Sequence, residues 1–404
     1  MSENEYASLT ARLLDAARKA AARGPRWAWT RFGEELMTPT NGPGIALRNF
    51  LAALEHAVRN RSDQRKLAAD PDAGSTLYYF YDMDIAPITY DFASYLALAE
   101  MERRQRDLDH VHVVIVPGRR LEKEFDDYQH VVTPQMRRAR VNDILVPMVQ
   151  LLPTCSALTV CTSKQEAAAL RFKRAIHTWP DGYSPTFPIS PHHRLVRDRA
   201  RGGEQVFPVF KAPAAALETV GKALEKNLAS AKPIVITLRE YGYNPARNSN
   251  IEAWGAFARS LDATAYRAVF VRDTQTAAAP VPAALEGQII YSPASFDPVL
   301  RMALYELAHM NLAVMHGPME LCWYNEACTY GLLLETGTAP QNTPKALTAQ
   351  GFNLGGDLPF ATARQHWYWQ SDTLEAIQHA FADLAARLTD NPSNTAPAAD
   401  THHD

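Results

Sequence analysis

The chain has 404 residues, of which 47% are hydrophobic and 21% charged, so it is longer than one ordinary hydrophobic core and typical of a globular protein. Its formal net charge of −3 argues against a broad basic surface for nucleic acid. No apolar run approaches the roughly 18 residues of a bilayer-spanning helix, which excludes an integral membrane segment and leaves peripheral contact open.

The first 75 residues are predicted to form an N-terminal helical segment. Residues 1–24 read as a charged amphipathic helix without the apolar core of a signal peptide, and residues 45–60 repeat apolar side chains at helical spacing. The four cysteines stand in two pairs with a spacing of six and form no CxxC motif. Together these features predict reduced thiols and a cytoplasmic location. Those cysteines are Cys155, Cys161, Cys322 and Cys328.

A first series of alternating strands and helices begins near residue 76. Strands are predicted over 77–84, 110–118 and 157–163, and helices over 91–107, 141–152 and 164–177. A strand–helix–strand order predicts a parallel pair with a right-handed crossover. From about residue 178 the chain becomes rich in Pro and Gly, which indicates a connection. We therefore predict a first Rossmann-like domain over 76–213.

A second series of the same kind is predicted over 214–372. A closing helix is expected over 373–390, and the tail 391–404 is expected to be disordered because it has few apolar residues. The resulting fold class is α/β, with two Rossmann-like domains facing each other. Within the second domain, strands are predicted over 233–240, 266–274, 287–295 and 311–319, and helices over 214–230, from 251, 298–310 and 321–334.

The loop ITLREYGYNPARNSN supplies the first candidate site, because ligands bind beyond the carboxyl ends of parallel strands. Arg239 ends a predicted strand, and Arg247 precedes the next helix, whose N-terminus Asn248 or one of its two successors would cap. Two guanidiniums beside helix amides suit a phosphate or diphosphate. The alternative is that both arginines form surface ion pairs, for example with Glu240 or Glu252.

The sequence MHGPMELCWYNEA supplies a second candidate site, where a buried strand turns into a predicted helix. Gly317 would let a ligand approach the backbone, and Pro318 suits a loop or a first helical turn. His316 could contact a phosphate or transfer a proton, and Glu320 could bind sugar hydroxyls. The alternative is an ordinary Gly-Pro turn. The same candidate site includes Met319 and Asn325.

Carboxylates at other strand ends supply the remaining candidates. Asp273 could accept hydrogen bonds from a base or ribose, or could be a turn residue. Asp82 and Asp84 end the first strand, and Asp91 lies at the start of its helix. One of these could act as a general base for an acceptor hydroxyl, although capping and turn roles are the competing interpretation. The DMD triplet alone is weak evidence for a metal, so no metal site is predicted.

Several familiar motifs are absent, among them GxGxxG after a strand, GxxxxGK[ST], HExxH and GxSxG. His192 and His193 lie in the Pro-rich connection, and adjacent loop histidines are expected to face solvent. His309 is expected on a helix face or in the core. The aromatic stretch around His366 is expected to be a packing cluster.

The second series resembles the donor domain of the two-Rossmann-domain (GT-B) glycosyltransferases. The resemblance covers mainly residues 233–370 and rests on a strand ending in arginine, a loop and helix, a strand with a polar end and a strand–Gly-Pro–helix turn. Within that class it is similar to the fucosyltransferase-like group, which includes the nodulation fucosyltransferases and the protein O-fucosyltransferases. Thr237 stands where that group often has histidine.

This resemblance implies that Arg239 contacts the diphosphate of a nucleotide sugar and that residues 316–320 cradle phosphate or sugar. It also implies a closing helix that packs back on the N-terminal domain, and chemistry without a bound metal or other cofactor.

We therefore expect a metal-independent glycosyltransferase of polysaccharide biosynthesis. It would move a sugar from a nucleotide-diphosphate sugar to a hydroxyl of a glycan or glycolipid. Arg239 and Arg247 would hold the diphosphate, and Asp82 or Asp84 would be the base. The alternatives are a nucleotide-sugar epimerase on the same fold and a binding protein without activity.

Overall fold

The computed structural model describes residues 24–25, 42–69, 74–122, 131–173 and 177–390. These residues fall into two compact units. One contains helix α1, Gly42–Ala69, together with Asp181–Ile189, and the predicted helix over 45–60 lies within α1. The predicted N-terminal amphipathic helix and the tail lie outside the described residues, and the predicted domain boundaries stay predictions.

The other unit holds two parallel sheets. The first has the strand order β3-β2-β1-β4, and every pairing in it is parallel. Helix α2, Phe92–Gln105, connects β1 to β2, so the predicted strand–helix–strand unit is confirmed. The strands of this sheet are β1 Thr76–Asp82, β2 His110–Val116, β3 Cys155–Val160 and β4 His177–Trp179.

The helix predicted over 141–152 is broken into two parts. Residues Val141–Leu145 form a π-helical turn, and a short α-helix follows it at Val146–Val149. Pro147 lacks an amide hydrogen and cannot continue the regular ladder, which gives a physical reason for the break. The helices that follow α2 in this half are α3 Pro134–Arg140, α4 Val146–Val149, α5 Lys164–Lys173 and α6 Leu195–Arg201.

The second sheet is doubly wound, with the strand order β10-β9-β8-β5-β6-β7 and parallel pairing throughout. Its chain order reverses between β5 and β8, the position at which open α/β sheets bind ligands. Its strands are β5 Lys232–Thr237, β6 Tyr266–Val271, β7 Ile289–Ile290, β8 Met310–Val314, β9 Tyr330–Leu333 and β10 Gln365–Tyr368.

The helix predicted over 321–334 is wrong. Helix α11 ends at Trp323, and Tyr330–Leu333 forms strand β9 between β8 and β10. A Cβ at Gly331 would lie 2.8 Å from Leu384 and 3.0 Å from Leu312, so this strand lies in close contact with the packing around it. The helices of this half are α7 Ala214–Leu228, α8 Ile251–Ser260, α9 Pro293–Phe296, α10 Pro298–Leu307, α11 Glu320–Trp323, α12 Pro344–Ala349 and α13 Leu374–Asp390.

The closing helix α13 packs against α8 and β9. Its buried residues Ile377, Ala380 and Leu384 belong to a core cluster that also contains Trp254 and Phe257 of α8. The helix therefore covers the second sheet, and among the described residues it has no comparable contact with an element of the first half, where the resemblance had placed it. The apolar face of α13 packs against the hydrophobic surface formed by α8 and the second sheet.

A single hydrophobic cluster joins the two sheets. It contains Tyr79 and Phe92 from the first half together with Met302, Tyr305 and Tyr330 from the second. This shared core holds the carboxyl ends of the two sheets in one arrangement, which positions the loops between them. None of the helices described has both the length and the apolar character needed to cross a membrane.

Candidate functional site

A cavity of about 810 Å³ lies where the strand-end loops of the two sheets meet. From the first half it is lined by the loop after β1, the turn after β2 and the face of α3 with its π-helical extension. From the second half it is lined by the loops after β5, β6 and β8, so it covers the reversal point of the sheet. Its volume is within the range of small-molecule sites.

Arg239 lines this cavity, but its guanidinium also forms hydrogen bonds with residues of its own loop. The side chain donates to the carbonyls of Tyr243 and Asn244 and to Oδ1 of Asn248, and its amide donates to Oγ of Ser249 at 2.9 Å. Asn248 therefore contacts Arg239 from within the loop and is not among the residues that line the large cavity. These bonds give Arg239 a positioning role beside its charge.

Two further guanidiniums border the same space. Arg247 donates through Nη2 to the carbonyl of Met315 at 3.3 Å, which ties the β5 loop to the end of β8. Arg301 extends from α10, is 2% exposed, and donates through Nε to the carbonyl of Ala294 at 2.7 Å. Within the described ranges, neither arginine has a carboxylate within ion-pair distance, and Nε of Arg247 is buried without a hydrogen-bond partner. The charges of Asp273 on Arg301 and of Asp91 on Arg247 act only from beyond ion-pair distance, so these buried guanidiniums favour an anionic ligand.

His316 lies among these three arginines. Burial, reinforced by the charges of Arg301, Arg239 and Arg247, holds its pKa well below the usual range, so the imidazole is neutral at pH 7. Its Nε2 is buried and has no hydrogen-bond partner among the residues that the structure describes. The arrangement thus combines three positive charges with a neutral ring nitrogen that can bond to a ligand.

The N-terminus of α8 is occupied by the protein itself. Asn250 caps the helix by accepting from the amide of Ala253 at 3.2 Å. The carboxylate of Asp372 accepts from the amide of Asn250 and from Nε1 of Trp254, both at 2.7 Å. A carboxylate already holds the place that an anion would take, so the expectation that these helix amides help bind phosphate is not supported by the geometry.

The loop after β8 contributes unevenly to the site. His316, Gly317, Pro318 and Glu320 line the cavity, whereas Met319 is fully buried in the core. A Cβ at Gly317 would lie 3.2 Å from Cβ of Tyr90, so the loops of the two halves meet closely here. The helix that follows, α11, has only four residues and too little length to contribute an appreciable dipole.

Two other predicted site residues make structural contacts. Asn325 is buried, donates to the carboxylate of Glu306 at 2.6 Å, and lies outside the cavity lining. Asp273 lines the cavity, and its carboxylate also accepts from the amide of Gln275 at 3.0 Å. Asp273 therefore stabilises a turn, as one interpretation of the sequence predicted. It also lies at the cavity, as the binding interpretation requires. Glu240, proposed as an arginine partner, pairs with Arg272 at 2.6 Å.

Asp82 and Asp84 do not line the cavity. Nζ of Lys164 lies 2.5 Å from Oδ1 of Asp82 and 3.0 Å from Oδ2 of Asp84. Burial opposes ionisation of Asp84, but the amide of Arg119 and the charge of Lys164 outweigh it and lower its pKa. A carboxylate that is stabilised in its ionised form and held in this way is poorly suited to accept a proton from a substrate.

Asp91 is the carboxylate of this region that lines the cavity. It lies at the N-terminus of α2 without a side-chain capping bond to that helix. The carboxyl of Glu320 lies near enough to share a hydrogen bond with it, and burial followed by the charge of Asp91 raises the pKa of Glu320 well above its usual range. Two carboxyl groups therefore meet at one side of the cavity.

His193 and Arg301 were not selected from the sequence. His193 lines the cavity, and its ring stacks on Tyr95 at 6.5 Å, whereas adjacent loop histidines had been expected to face solvent. Burial lowers the pKa of His193 to about 4. Arg301 lies within a predicted helix, where an arginine usually faces water. The apolar residues at helical spacing from it, Pro298, Leu304 and Tyr305, were the available signal that it lies on a buried face.

The described residues contain no group of three or more His, Cys, Asp or Glu side chains that could hold a metal ion. His366, on strand β10, forms a hydrogen bond of 2.8 Å with the carboxylate of Asp357. Cys161, Cys322 and Cys328 are buried free thiols, and Cys155 is a partly buried one.

A solved glycosyltransferase structure shares this fold. The crystal structure of the glycosyl transferase family 9 from Veillonella parvula DSM 2008 matches with a TM-score of 0.50 at 11% identity, over 78% of this chain and 97% of that chain. E. coli ADP-heptose lps heptosyltransferase II matches with a TM-score of 0.36 at 10% identity, over 78% of this chain and 99% of that chain. The sequence matches no family model and no curated protein. The first similarity confirms the predicted GT-B-like fold of two parallel sheets.

Proposed function

We propose that this protein is a glycosyltransferase that moves a sugar from a nucleoside diphosphate sugar to a hydroxyl group of a glycan or glycolipid. The observation that carries the proposal is the convergence of Arg239, Arg247 and Arg301 on neutral His316 at the reversal point of the second sheet. When a glycosidic bond to a diphosphate breaks, negative charge develops on the leaving group. Preorganised guanidiniums stabilise such charge strongly in a site with little water.

The donor would lie against the second half of the cavity. Arg247 and Arg301 would contact the diphosphate, because neither forms an ion pair with a carboxylate of the described residues and the charges of Asp91 and Asp273 reach them only from a longer distance. Arg239 would keep the β5 loop in place and add its charge. His316 would hydrogen-bond to a phosphate oxygen, and Asp273 would accept from the ribose or base. Under this proposal the arginines supply the positive charge, and the reaction proceeds without a metal.

The acceptor would enter from the first half, where Asp91 replaces Asp82 and Asp84 as the proposed general base. As the hydroxyl oxygen attacks the anomeric carbon, its proton passes to the carboxylate of Asp91. The bond from the anomeric carbon to the phosphate oxygen breaks, and the electron pair leaves with the nucleoside diphosphate. The geometric support is that Asp91 lines the cavity while Lys164 holds the other two carboxylates away from it.

The narrower expectations remain predictions. They are membership of the fucosyltransferase-like group, a role in polysaccharide biosynthesis and a cytoplasmic location.

The proposal is tested by titrating the protein with ADP, GDP, UDP and CDP in the presence of EDTA, with thermal unfolding and calorimetry as readouts. At 100 times its dissociation constant, a true ligand stabilises the folded state by about 2.7 kcal/mol. Arg247→Ala should weaken binding at least about tenfold, which corresponds to about 1.4 kcal/mol. Arg267→Ala is the matched control. Arg267 is exposed at the amino-terminal end of β6, whereas the cavity lies at the carboxyl ends of the strands of the same sheet.

If none of the four nucleotides changes the unfolding temperature at millimolar concentration, the donor-site assignment is wrong. When a nucleotide binds, the corresponding nucleotide sugars are incubated with the protein and released nucleoside diphosphate is measured. Release that needs added Mg²⁺ would overturn the metal-independent form of the proposal.

A further inference from the structure

The first turn of α2 packs against α11 at the acceptor side of the cavity. Oγ of Ser94 donates to Oε2 of Glu320 at 2.8 Å, and the same hydroxyl lies 2.8 Å from the hydroxyl of Tyr324. The amide of Ser94 donates to the carbonyl of Asp91 at 3.0 Å, so these two residues belong to one rigid turn. Asp91 and Glu320 therefore both neighbour Ser94, and both line the cavity.

The two carboxyl groups differ in their surroundings. Glu320 is 5% exposed, whereas Asp91 is only partly buried and lies at the cavity wall. Arg197 from α6 is the positive charge that acts on Glu320, but its Nε and Nη2 donate to the carbonyl of Gln350 at 2.9 and 2.8 Å. The other titratable groups facing the pair are Tyr81 of β1, Tyr95 of α2, His192 and His193 before α6, Arg247 after β5 and Tyr324 after α11.

Two carboxyl groups in contact cannot both ionise at ordinary cost in a buried site, so one proton is retained between them. The proton favours the more deeply buried group, because burial penalises the charged form most there. Burial and the charge of Asp91 together raise the pKa of Glu320. Asp91, which is less buried, lies at the cavity wall, where an acceptor hydroxyl can reach its carboxyl group.

We propose that Asp91 and Glu320 form a single proton-holding pair in which neutral Glu320 donates a hydrogen bond to Asp91 and holds it as the anionic base facing the acceptor hydroxyl. This inference rests on the proposed function, because it assigns the base of that reaction. Glu320 is a positioning residue in this arrangement, in place of the sugar-binding role that its sequence position suggested. The proton taken from the hydroxyl goes to Asp91, while Glu320 keeps its own proton throughout.

The pairing is tested in the ligand-free protein by infrared spectroscopy with glutamate labelled in its carboxyl carbon with ¹³C. The structure predicts the C=O band of a protonated carboxylic acid at pH 7 that shifts on glutamate labelling. Glu320→Gln should remove this band. Glu326→Gln, which alters an exposed glutamate six residues further along, should leave it unchanged.

The Asp91→Asn variant distinguishes a coupled pair of carboxyl groups from a single buried acid. Without the charge of Asp91, the midpoint at which Glu320 loses its proton should fall by about one pH unit, a tenfold change in proton affinity. A missing band at pH 7 overturns the proposal, and so does a midpoint that Asp91→Asn does not move. If Glu320→Gln fails to fold, the labelled wild type and labelled Asp91→Asn still decide the matter.

These spectra need no substrate, so they are independent of the nucleotide titrations. Nucleotide binding without a protonated Glu320 would support the donor site and overturn the pair. A protonated Glu320 that responds to Asp91, in a protein that binds no nucleotide, would support the pair and leave the proposed function without its donor site.

Discussion

The two sheets carry charged clusters at equivalent strand ends, but the clusters are built in opposite ways. At the end of β1, the carboxylates of Asp82 and Asp84 are both held by Lys164. At the ends of β5 and β8, the guanidiniums of Arg247 and Arg301 surround His316 without a carboxylate in ion-pair distance among the described residues. The first cluster is neutralised within the protein, and the second is suited to neutralisation by a ligand. Strand-end position alone therefore does not distinguish a structural cluster from a binding one.

The largest effect is expected from breaking the first cluster. Lys164→Met removes the cation that Asp82 and Asp84 share, while Arg119 still pairs with Asp84 at 3.3 Å, and should lower the free energy of unfolding by about 3–5 kcal/mol. Urea unfolding measures this change, and nucleotide affinity of the folded variant should stay unchanged. The control is Lys222→Met, which removes a pair with Glu218 in which both side chains are largely exposed. If both variants lose similar stability, the cluster at the end of β1 does not stabilise the fold more than a surface ion pair does.

Breaking the second cluster should affect binding more than stability. Arg301→Leu removes a guanidinium from the donor wall and should weaken binding of the nucleoside diphosphate by about 2–3 kcal/mol, or roughly 30- to 150-fold. Calorimetry on the variant and on Arg301→Lys measures the loss. The lysine variant should recover only part of the affinity, since it keeps the charge but not the planar fork of donors. Full affinity in Arg301→Leu would remove this residue from the site.

The carboxyl pair predicts a specific dependence of stability on pH. Folded Glu320 keeps a proton that the unfolded chain loses above about pH 4.3, so rising pH destabilises the wild type by up to about 1.4 kcal/mol per unit until the folded group titrates. Glu320→Gln lacks this effect, so its stability relative to the wild type should increase with pH over that window. Denaturant unfolding from pH 4 to 9 provides the measurement. A difference that stays constant with pH, as expected for Glu326→Gln, would contradict a protonated Glu320.

The smallest effect is expected at the start of α8. Asn250→Ala removes the side-chain cap and should cost about 1 kcal/mol of stability. Nucleotide affinity should not change, because Asp372 already occupies the helix N-terminus. A loss of affinity comparable to that of Arg301→Leu would show that these amides do contact the ligand, and would move the donor site towards α8.

Much of the fold follows from patterns along the chain. Apolar strands alternating with helices predicted both parallel sheets and placed Arg239, Arg247 and His316 at strand ends. The prediction failed at residues 321–334, where an apolar run was interpreted as one helix. Short apolar runs fit a buried strand as well as a helix, and Gly331 in contact with Leu384 resolves the difference only after distant segments pack.

The site was predictable in its location and less so in its members. Loop residues after strands are recognisable from local order, but the partner of a charge is not. Lys164 is 82 residues from Asp82, and Glu320 is 226 residues from Ser94. Arg301 was overlooked because its exposure depends on how α10 packs against the rest of the chain.

Residue order alone was sufficient to establish an α/β chain with two parallel series and an arginine loop after a buried strand, because these depend on periodicity and local backbone chemistry. Folding decided which charges are neutralised and which remain available. It pairs Asp82 with Lys164, brings Arg301 to His316, and places Asp91 against Glu320. Electrostatic energies depend on distance and burial, and both are set by contacts between segments far apart in the chain.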